Sequence, residues 1–318
     1  MSDMRLPDGV FDRFYAELAE RQSLLIGGAP GSGRTAVLHG ILGSLLTHHS
    51  PIDTRLILID AKGNDLVRYG SLPHVIACPA GPGEAVIALR ALVSMIRERF
   101  DGMAAGGQKV FGGPDLWLVI DGLCDMAPED DRELWQLLRT VLQTGWPARV
   151  HVIATDLSFP MNRERRGLDG LFPARLGLRT DSAEDSEALT GCADCAALPL
   201  GSGILAVNGE TRKRSFVPVP EEKTRALIAY WAGYRPQRQP EEPDDRPGPA
   251  RAADLALENG QISAASLQRS LRLGYFRSAA LLDRLEALGV VSAPDDDGIR
   301  RCLIDAETLD EMKKSGKL

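Results

Sequence analysis

Short apolar runs recur along the first two thirds of the chain, at Leu24 to Gly27, Leu56 to Ile59, Leu116 to Ile120 and Val150 to Ala154. Each stands between stretches with helical, amphipathic spacing. Alternation of this kind predicts an α/β domain with a parallel sheet and helices on both faces. Between Tyr234 and Ala250, RPQRQPEEPDDRPGPA packs prolines among charges and offers almost nothing apolar to bury, so it reads as a linker. Beyond it, Ala252 to Asn259, Ser263 to Leu271 and Tyr275 to Leu288 carry helical periodicity. Val290-Val291, the turn Asp295 to Gly298 and Arg301 to Ile304 then follow. Three helices and a hairpin describe a winged helix. The expected division is 1–234, a linker over 235–250, a winged helix over 251–305, and a tail over 306–318 forming a peripheral helix with a frayed end.

At 318 residues the chain has room for two domains of about 150. Hydrophobic residues at 44% and charged residues at 25% exclude disorder and fibrous structure. A net charge of −7 repels polyanions at long range, so contact with nucleic acid requires a local basic patch. The apolar runs fall far short of the ~20 residues that a membrane helix needs, and no membrane segment is expected. Acidic residues in the N-terminal MSDMRLPDGVFDRF and five sparse cysteines fit a reducing cytoplasm.

Directly after the first strand comes Gly28-Ala29-Pro30-Gly31-Ser32-Gly33-Arg34-Thr35, with a helix expected from about Ala36. Strand, glycine-rich loop and helix in that order predict a phosphate-binding loop for ATP. Backbone N–H groups of the loop converge on an anion, and the helix N-terminus adds partial positive charge. Thr35 is the expected magnesium ligand. Arg34 stands where the pattern asks for Lys. It keeps the charge but brings a bulkier planar fork, which puts catalysis in question more than binding.

Leu116 to Ile120 ends in Asp121, the form of a Walker B strand whose carboxylate orients magnesium. Asp121 is therefore the catalytic and metal-site candidate, against the plainer reading of an acidic helix cap. The next residue is Gly122, where an ATPase of this type carries a glutamate. Loss of a general base costs ~10²- to 10⁴-fold, so hydrolysis is expected to be slow unless Asp125 or a neighbouring subunit supplies the group.

Leu24 to Thr35, Leu58-Ile-Asp60-Ala-Lys62, Tyr69, Leu72-Pro73-His74, Glu98-Arg99-Phe100, Val119-Ile-Asp121 with Asp125, and Ile153-Ala-Thr155 follow one another in an order that resembles FtsK/SpoIIIE-type DNA translocases. After the linker, Ile262-Ser263, Leu267-Gln268-Arg269, Arg272-Leu-Gly274-Tyr275, Arg277, Ala279-Ala280 and Gly289-Val-Val-Ser292 resemble that family's C-terminal winged-helix module. The resemblance implies a RecA-like motor that forms a homo-oligomeric, hexameric ring on double-stranded DNA. It also implies a winged helix reading a DNA orientation sequence, and a role in chromosome segregation or plasmid transfer. The family's glutamine sensor motif reads Ala154-Thr155-Asp156-Leu157-Ser158 here, and its Asp-Ser-Arg motif reads Asp185-Ser186-Glu187. Only about two dozen residues precede the first strand, so the family's membrane part and the domain before the P-loop are expected to be absent.

Within the winged helix, Tyr275 to Leu288 is the expected recognition helix, with Ala279, Ala280, Leu282 and Leu285 as its buried face. Arg269, Arg272, Tyr275, Phe276 and Arg277 are the DNA-binding candidates. Residues 251–304 balance seven Arg against seven Asp and Glu, yet none of the acids lies between Ser266 and Leu282. A solvated helix face is the plain alternative for these arginines, and Phe276 fits either a thymine methyl or a partly exposed apolar position. Cys192-Ala-Asp-Cys195 is an isolated pair read as structural, and His48-His49 as an exposed helix-ending loop. Asp60 and Lys62 suit either the nucleotide or subunit interface or a surface ion pair, and Asp295 to Asp297 the wing's turn. Two main functional readings stand: an ATP- and DNA-binding translocase with weakened hydrolysis, and an inactive nucleotide-binding adaptor or DNA-bound regulator. A P-loop protein using its winged helix for protein contacts is the third.

Overall fold

The computed structural model describes residues 23–79, 81–126, 131–157, 167–234, 248–271, 275–295, 299–315 and 318, without the side chains of 169, 265, 268, 269, 275–277, 279 and 280. Two compact units divide between Arg235 and Pro236. The first runs β1 (Ser23–Gly27), α1 (Arg34–His48), β2 (Thr54–Asp60), β3 (Val75–Ala77), α2 (Pro82–Ala105), β4 (Asp115–Asp121), α3 (Arg132–Thr144) and β5 (Val150–Asp156). It continues with β6 (Ala174–Gly177), α4 (Ala183–Thr190), β7 (Ser202–Val207), β8 (Glu210–Ser215) and α5 (Glu221–Ala232). The four strands expected from the sequence are β1, β2, β4 and β5, each one to three residues longer. Helix α1 begins at Arg34, two residues earlier than its apolar pattern suggested.

One eight-stranded sheet has the order β3-β2-β4-β5-β1-β6-β7-β8. Its pairings from β3 to β6 are parallel. The last two are antiparallel, so the expected parallel sheet carries an antiparallel edge hairpin. Asn208 and Gly209, with φ of 51° and 81°, supply the two left-handed residues of a tight hairpin turn between β7 and β8. Strand β8 reads ETRKRS and is mostly exposed, so no apolar alternation announced it.

Because β1 is buried at all five positions, it needs cover on both faces. Leu38, Ile41, Leu42, Leu45 and Leu46 of α1 supply it on one side, in a cluster that includes Leu24, Ile26, Trp117 and Trp231. Full burial of each such side chain contributes about 1.5–3 kcal/mol. Trp231 of α5 donates its indole N–H to Leu46 O at 2.8 Å, closing the C-terminal end of α1. Arg99 of α2 donates to Ala148 O at 2.6 Å and lies over the Phe111 ring at 4.4 Å. Burial lowers its pKa to about 10. That family-motif arginine is a structural tie.

The second unit contains α6 (Pro249–Asn259), β9 (Gln261–Ser263), α7 (Ala264–Leu271), α8 (Tyr275–Ala287), β10 (Ile299–Arg301) and α9 (Ala306–Lys314). Strands β9 and β10 pair antiparallel, and an isolated bridge joins Val291 to Cys302. The expected hairpin therefore belongs to a small sheet whose other strand, β9, precedes α7. Leu282 and Leu285 are buried as expected, joined by Ser278 and Leu281, while the side chains of Ala279 and Ala280 lie outside the described residues. Helix α9 is tied in rather than peripheral: Leu309 is buried in the unit's core and Lys313 bonds Asp254 at 2.5 Å. Among the described residues no helix is long and apolar enough to cross a membrane.

Candidate functional site

The loop after β1 curls because its glycines allow it. Gly31 and Gly33 hold φ of 73° and 102°, where a side chain is strained. A Cβ on Gly28 would meet Ser32 Oγ at 2.6 Å, Leu178 Cβ at 3.0 Å and Arg179 O at 3.1 Å, so the close approach of β6 also requires glycine there. Ala29 N–H donates to Arg179 O at 2.8 Å, and Ser32 N–H to Ala29 O at 3.1 Å, fixing the arch. Pro30 and Gly31 form its exposed crest. Gly33 caps α1 without a side-chain bond, and the N–H groups of Arg34, Thr35 and Ala36 have no intrahelical acceptor. The buried Ser32 hydroxyl has no partner among the described residues. This is an anion cradle.

Register brings acids to the same sheet edge. Asp60 lies opposite Asp121, and Asp156 opposite Gly27, so β2, β4 and β5 end in carboxylates beside the loop. Asp121 is not a helix cap. Its Oδ1 accepts from Thr155 Oγ1 at 2.6 Å, and the same hydroxyl accepts from Gly122 N–H at 2.8 Å. Burial raises the pKa of Asp121, with Asp65 and Asp60 adding to the rise and Thr155 and Arg34 opposing it. Burial also lowers the Arg34 guanidinium below its ordinary value, countered chiefly by Asp121, with Asp156 and Asp125 adding. Asp156, at the sensor position, is fully buried; its Oδ1 accepts from Leu157 N–H at 2.8 Å, and the Cys124 thiol bonds to it and is pushed up to about 11, mainly by burial.

Asp60 and Lys62 do not pair with each other. Asp60 is buried and accepts from the backbone N–H groups of Lys62, Gly63, Asp65 and Leu66 at 2.7–3.2 Å, shaping the turn after β2. Lys62 instead bridges to Asp125 at 3.0 Å. Elsewhere, His48 is exposed but His49 is half-buried, its carbonyl 3.0 Å from His74 Nε2. Cys195 is buried and packs with Leu198 and Ile204.

Sequence patterning missed a cavity of about 210 Å³ beside the cradle, lined by Gly31, Gly33, Ala36, Leu178, Phe216 and Pro218. Leu200 and Val217 are exposed on its rim. These residues come from β6 and the segments flanking the β7–β8 hairpin, too far along the chain for local patterning to link them to the loop. No group of three or more His, Cys, Asp or Glu among the described residues is arranged to hold a metal alone. A P-loop magnesium takes most of its ligands from phosphate and water, so it does not require such a group.

In the second unit, Arg272, Gly274 and Asp296 to Gly298 lie outside the described residues, as do the side chains of Arg269, Tyr275, Phe276 and Arg277. Among the described residues of this unit several acids are engaged. Arg300, nearly buried, bonds Asp283 at 2.6 Å and also Glu286, both on α8. Asp254 and Glu258 lie within 3.9 Å and 3.7 Å of Arg251. Asp295 accepts from Ile299 N–H at 2.8 Å, closing the start of the wing.

Residues 4–186 match the model of the FtsK/SpoIIIE family, and residues 248–305 match the Ftsk gamma domain. The chain is 26% identical to the DNA translocase FtsK of Mycobacterium leprae over 341 residues, covering 92% of this chain and 40% of that protein. With that of Staphylococcus epidermidis the identity is 24%, over 93% and 42%. The chain thus spans about two fifths of the length of these relatives. Among solved structures, the fold is shared with the cytoplasmic domain of the type VII secretion ATPase EccC of Thermomonospora curvata (TM-score 0.56, 24% identity, 68% of this chain and 28% of that one). It is also shared with the pCW3 conjugation coupling protein TcpA, solved with ATPgS (0.55, 17%, 67% and 66%). A P-loop sheet with the site at its C-terminal edge, joined to a gamma-type winged helix, places this chain in the FtsK/SpoIIIE family.

Proposed function

We propose that this chain is an ATP-binding motor unit joined to a DNA-binding winged helix, acting on double-stranded DNA as a translocase of the FtsK type. The observation that carries the reading is the glycine arch Gly28 to Gly33, closed against β6 and leading into α1, with Asp121 beside it on the same sheet edge. The N–H groups of Gly31 and of Gly33 to Ala36 would hold the phosphates, Arg34 would add charge, and the apolar cavity beside Phe216 suits the base of the nucleotide. Thr35 and Asp121 would orient a magnesium ion, whose role is to neutralise charge on the phosphates. Thr155 fixes one oxygen of the Asp121 carboxylate by donating to Oδ1.

The family supports a homo-oligomeric, hexameric ring around the duplex, working in the cytoplasm in chromosome segregation or plasmid transfer. The match to the gamma domain, and the absence of acids from the sequence between Ser266 and Leu282, support the DNA assignment of Arg269, Arg272 and Arg277. Gly122 and the buried Asp156 favour a second reading, a nucleotide-binding adaptor without turnover. Calorimetry with Mg-ATP, followed by phosphate release with and without duplex DNA, separates the readings. Binding with DNA-stimulated release supports the motor, binding alone supports the adaptor, and no binding by the folded chain rejects both. Unchanged gel-shift affinity in both Arg272→Ala and Arg277→Ala would reject the winged-helix role.

A further inference from the structure

Gly122 has no side chain, yet the space beside it is filled. A Cβ built there would lie 3.0 Å from Asp125 Oδ2 and 3.4 Å from Asp125 Cβ. The carboxylate of Asp125 therefore stands where a side chain at position 122 would begin. It is carried there by a single turn, Leu123–Asp125, in which Asp125 N–H donates to Gly122 O at 3.0 Å. The same Oδ2 is the oxygen that Lys62 holds at 3.0 Å.

Both partners are anchored at neighbouring strand ends. Lys62 lies in the turn that the buried Asp60 shapes, and Asp60 pairs in register with Asp121 on β4. With side chains 55% and 35% exposed, the Lys62–Asp125 bridge contributes little to stability. What it does fix is where one carboxylate oxygen sits, against Gly122 at the end of β4.

We propose that Asp125 is the general base of nucleotide hydrolysis in this chain, and that Lys62 is its positioning residue. The water oxygen bonds to the γ-phosphorus while the bond from that phosphorus to the β,γ-bridging oxygen breaks. The bridging oxygen leaves with the nucleoside diphosphate, the water proton passes to Asp125, and inorganic phosphate is released as Asp125 returns the proton to solvent. The proposal rests on the nucleotide-binding reading above and goes beyond it by naming the base.

The test uses the full chain and its Asp125→Asn, Asp125→Glu, Lys62→Gln and Lys62→Arg variants. Three measurements are made: ATPγS binding by calorimetry, binding of ADP with aluminium fluoride, and single-turnover phosphate release on duplex DNA. Asp125→Asn is expected to keep ATPγS affinity within about threefold, to lose at least about tenfold in affinity for the aluminium fluoride complex, and to slow release by ~10²- to 10⁴-fold. Asp125→Glu retains release within about tenfold, and Lys62→Arg recovers most of what Lys62→Gln loses. Wild-type chain that binds ATPγS without turning over, an Asp125→Asn rate equal to wild type, or an Asp125→Asn loss of ATPγS binding overturns the proposal. Failure of the folded wild type to bind ATPγS removes the nucleotide reading itself, and this proposal with it.

Discussion

Replacing Thr155 with Val leaves the volume nearly unchanged and removes one buried hydroxyl that serves two partners. That hydroxyl donates to Asp121 Oδ1 at 2.6 Å and accepts from Gly122 N–H at 2.8 Å, and Thr155 is 1% exposed. A hydrogen bond to a charged group contributes about 1.5–3 kcal/mol, and an abandoned buried donor costs about 1–3 kcal/mol. Allowing for partial relaxation, Thr155→Val is expected to destabilise the chain by about 2–4 kcal/mol. The pH dependence follows from which form of Asp121 the hydroxyl favours. Donation to the carboxylate stabilises its ionised form and opposes the upward shift that burial imposes. Removing the donor raises the Asp121 pKa further. The loss on this arm is therefore full above the folded-state pKa and shrinks as acid protonates the carboxylate. Urea titration of both proteins at pH 5 and pH 8 reads the difference, with magnesium-dependent nucleotide affinity measured in parallel. A penalty below about 0.5 kcal/mol, or one larger at pH 5 than at pH 8, would refute the assigned hydrogen-bond roles.

Gly28→Ala places a methyl 2.6 Å from Ser32 Oγ and 3.1 Å from Arg179 O, so the arch or β6 must shift. A loss of about 1–3 kcal/mol in thermal or urea unfolding is expected, together with weakened ATPγS binding. For Asp60, burial pushes the pKa up but the four backbone donors outweigh it, and the net shift is downward. Its contribution is therefore present above the unfolded pKa and lost as pH falls through the folded value. Asp60→Asn should cost about 1–3 kcal/mol at pH 7, and the gap to wild type should narrow below pH 4. Arg300→Gln frees Asp283 and Glu286 on α8, both partly exposed; a loss of about 1–2 kcal/mol in the second unit, followed by amide exchange, is the expected result.

The strands that matter most announced themselves because both their faces are buried. Continuous apolar runs at Leu24 to Gly27 and Leu116 to Ile120 needed no partner to be recognised. Gly28 to Thr35 was legible for a similar reason, since spacing and flanking elements define that site locally. What stayed hidden depends on contacts distant in sequence. Strand β8 carries an exposed polar sequence, and β9 is only three residues long. The cavity wall joins Phe216 to Gly31 across 185 positions. The bond from Thr155 to Asp121 could have been found only by knowing that β4 and β5 are neighbours, which puts Ala154 beside Ile120. Lys62 shows the limit from the other side: an ion pair is one of its two readings, but its partner is Asp125, because the turn's backbone donors have already claimed the Asp60 carboxylate.

The three departures from the family's motor pattern are not independent defects. Arg34 brings a guanidinium that burial makes costly to charge, and the acids that offset this are Asp121, Asp156 and Asp125. One of them, Asp156, stands at the sensor position, and another, Asp125, fills the space above Gly122. The Arg34 charge is thus offset partly at position 156, and the space above Gly122 is occupied by Asp125. Restoring one position in isolation breaks that balance. Gly122→Glu would force a side chain into φ +85° and against Asp125 Oδ2, detaching it from Lys62. Arg34→Lys would leave the buried Asp156 facing a shorter cation with different geometry. A rescue experiment that combines only Arg34→Lys and Gly122→Glu therefore confounds lost catalysis with imposed strain. Asp156→Gln and Asp125→Ala would have to accompany those two changes before a gain or loss of turnover could be read as chemistry.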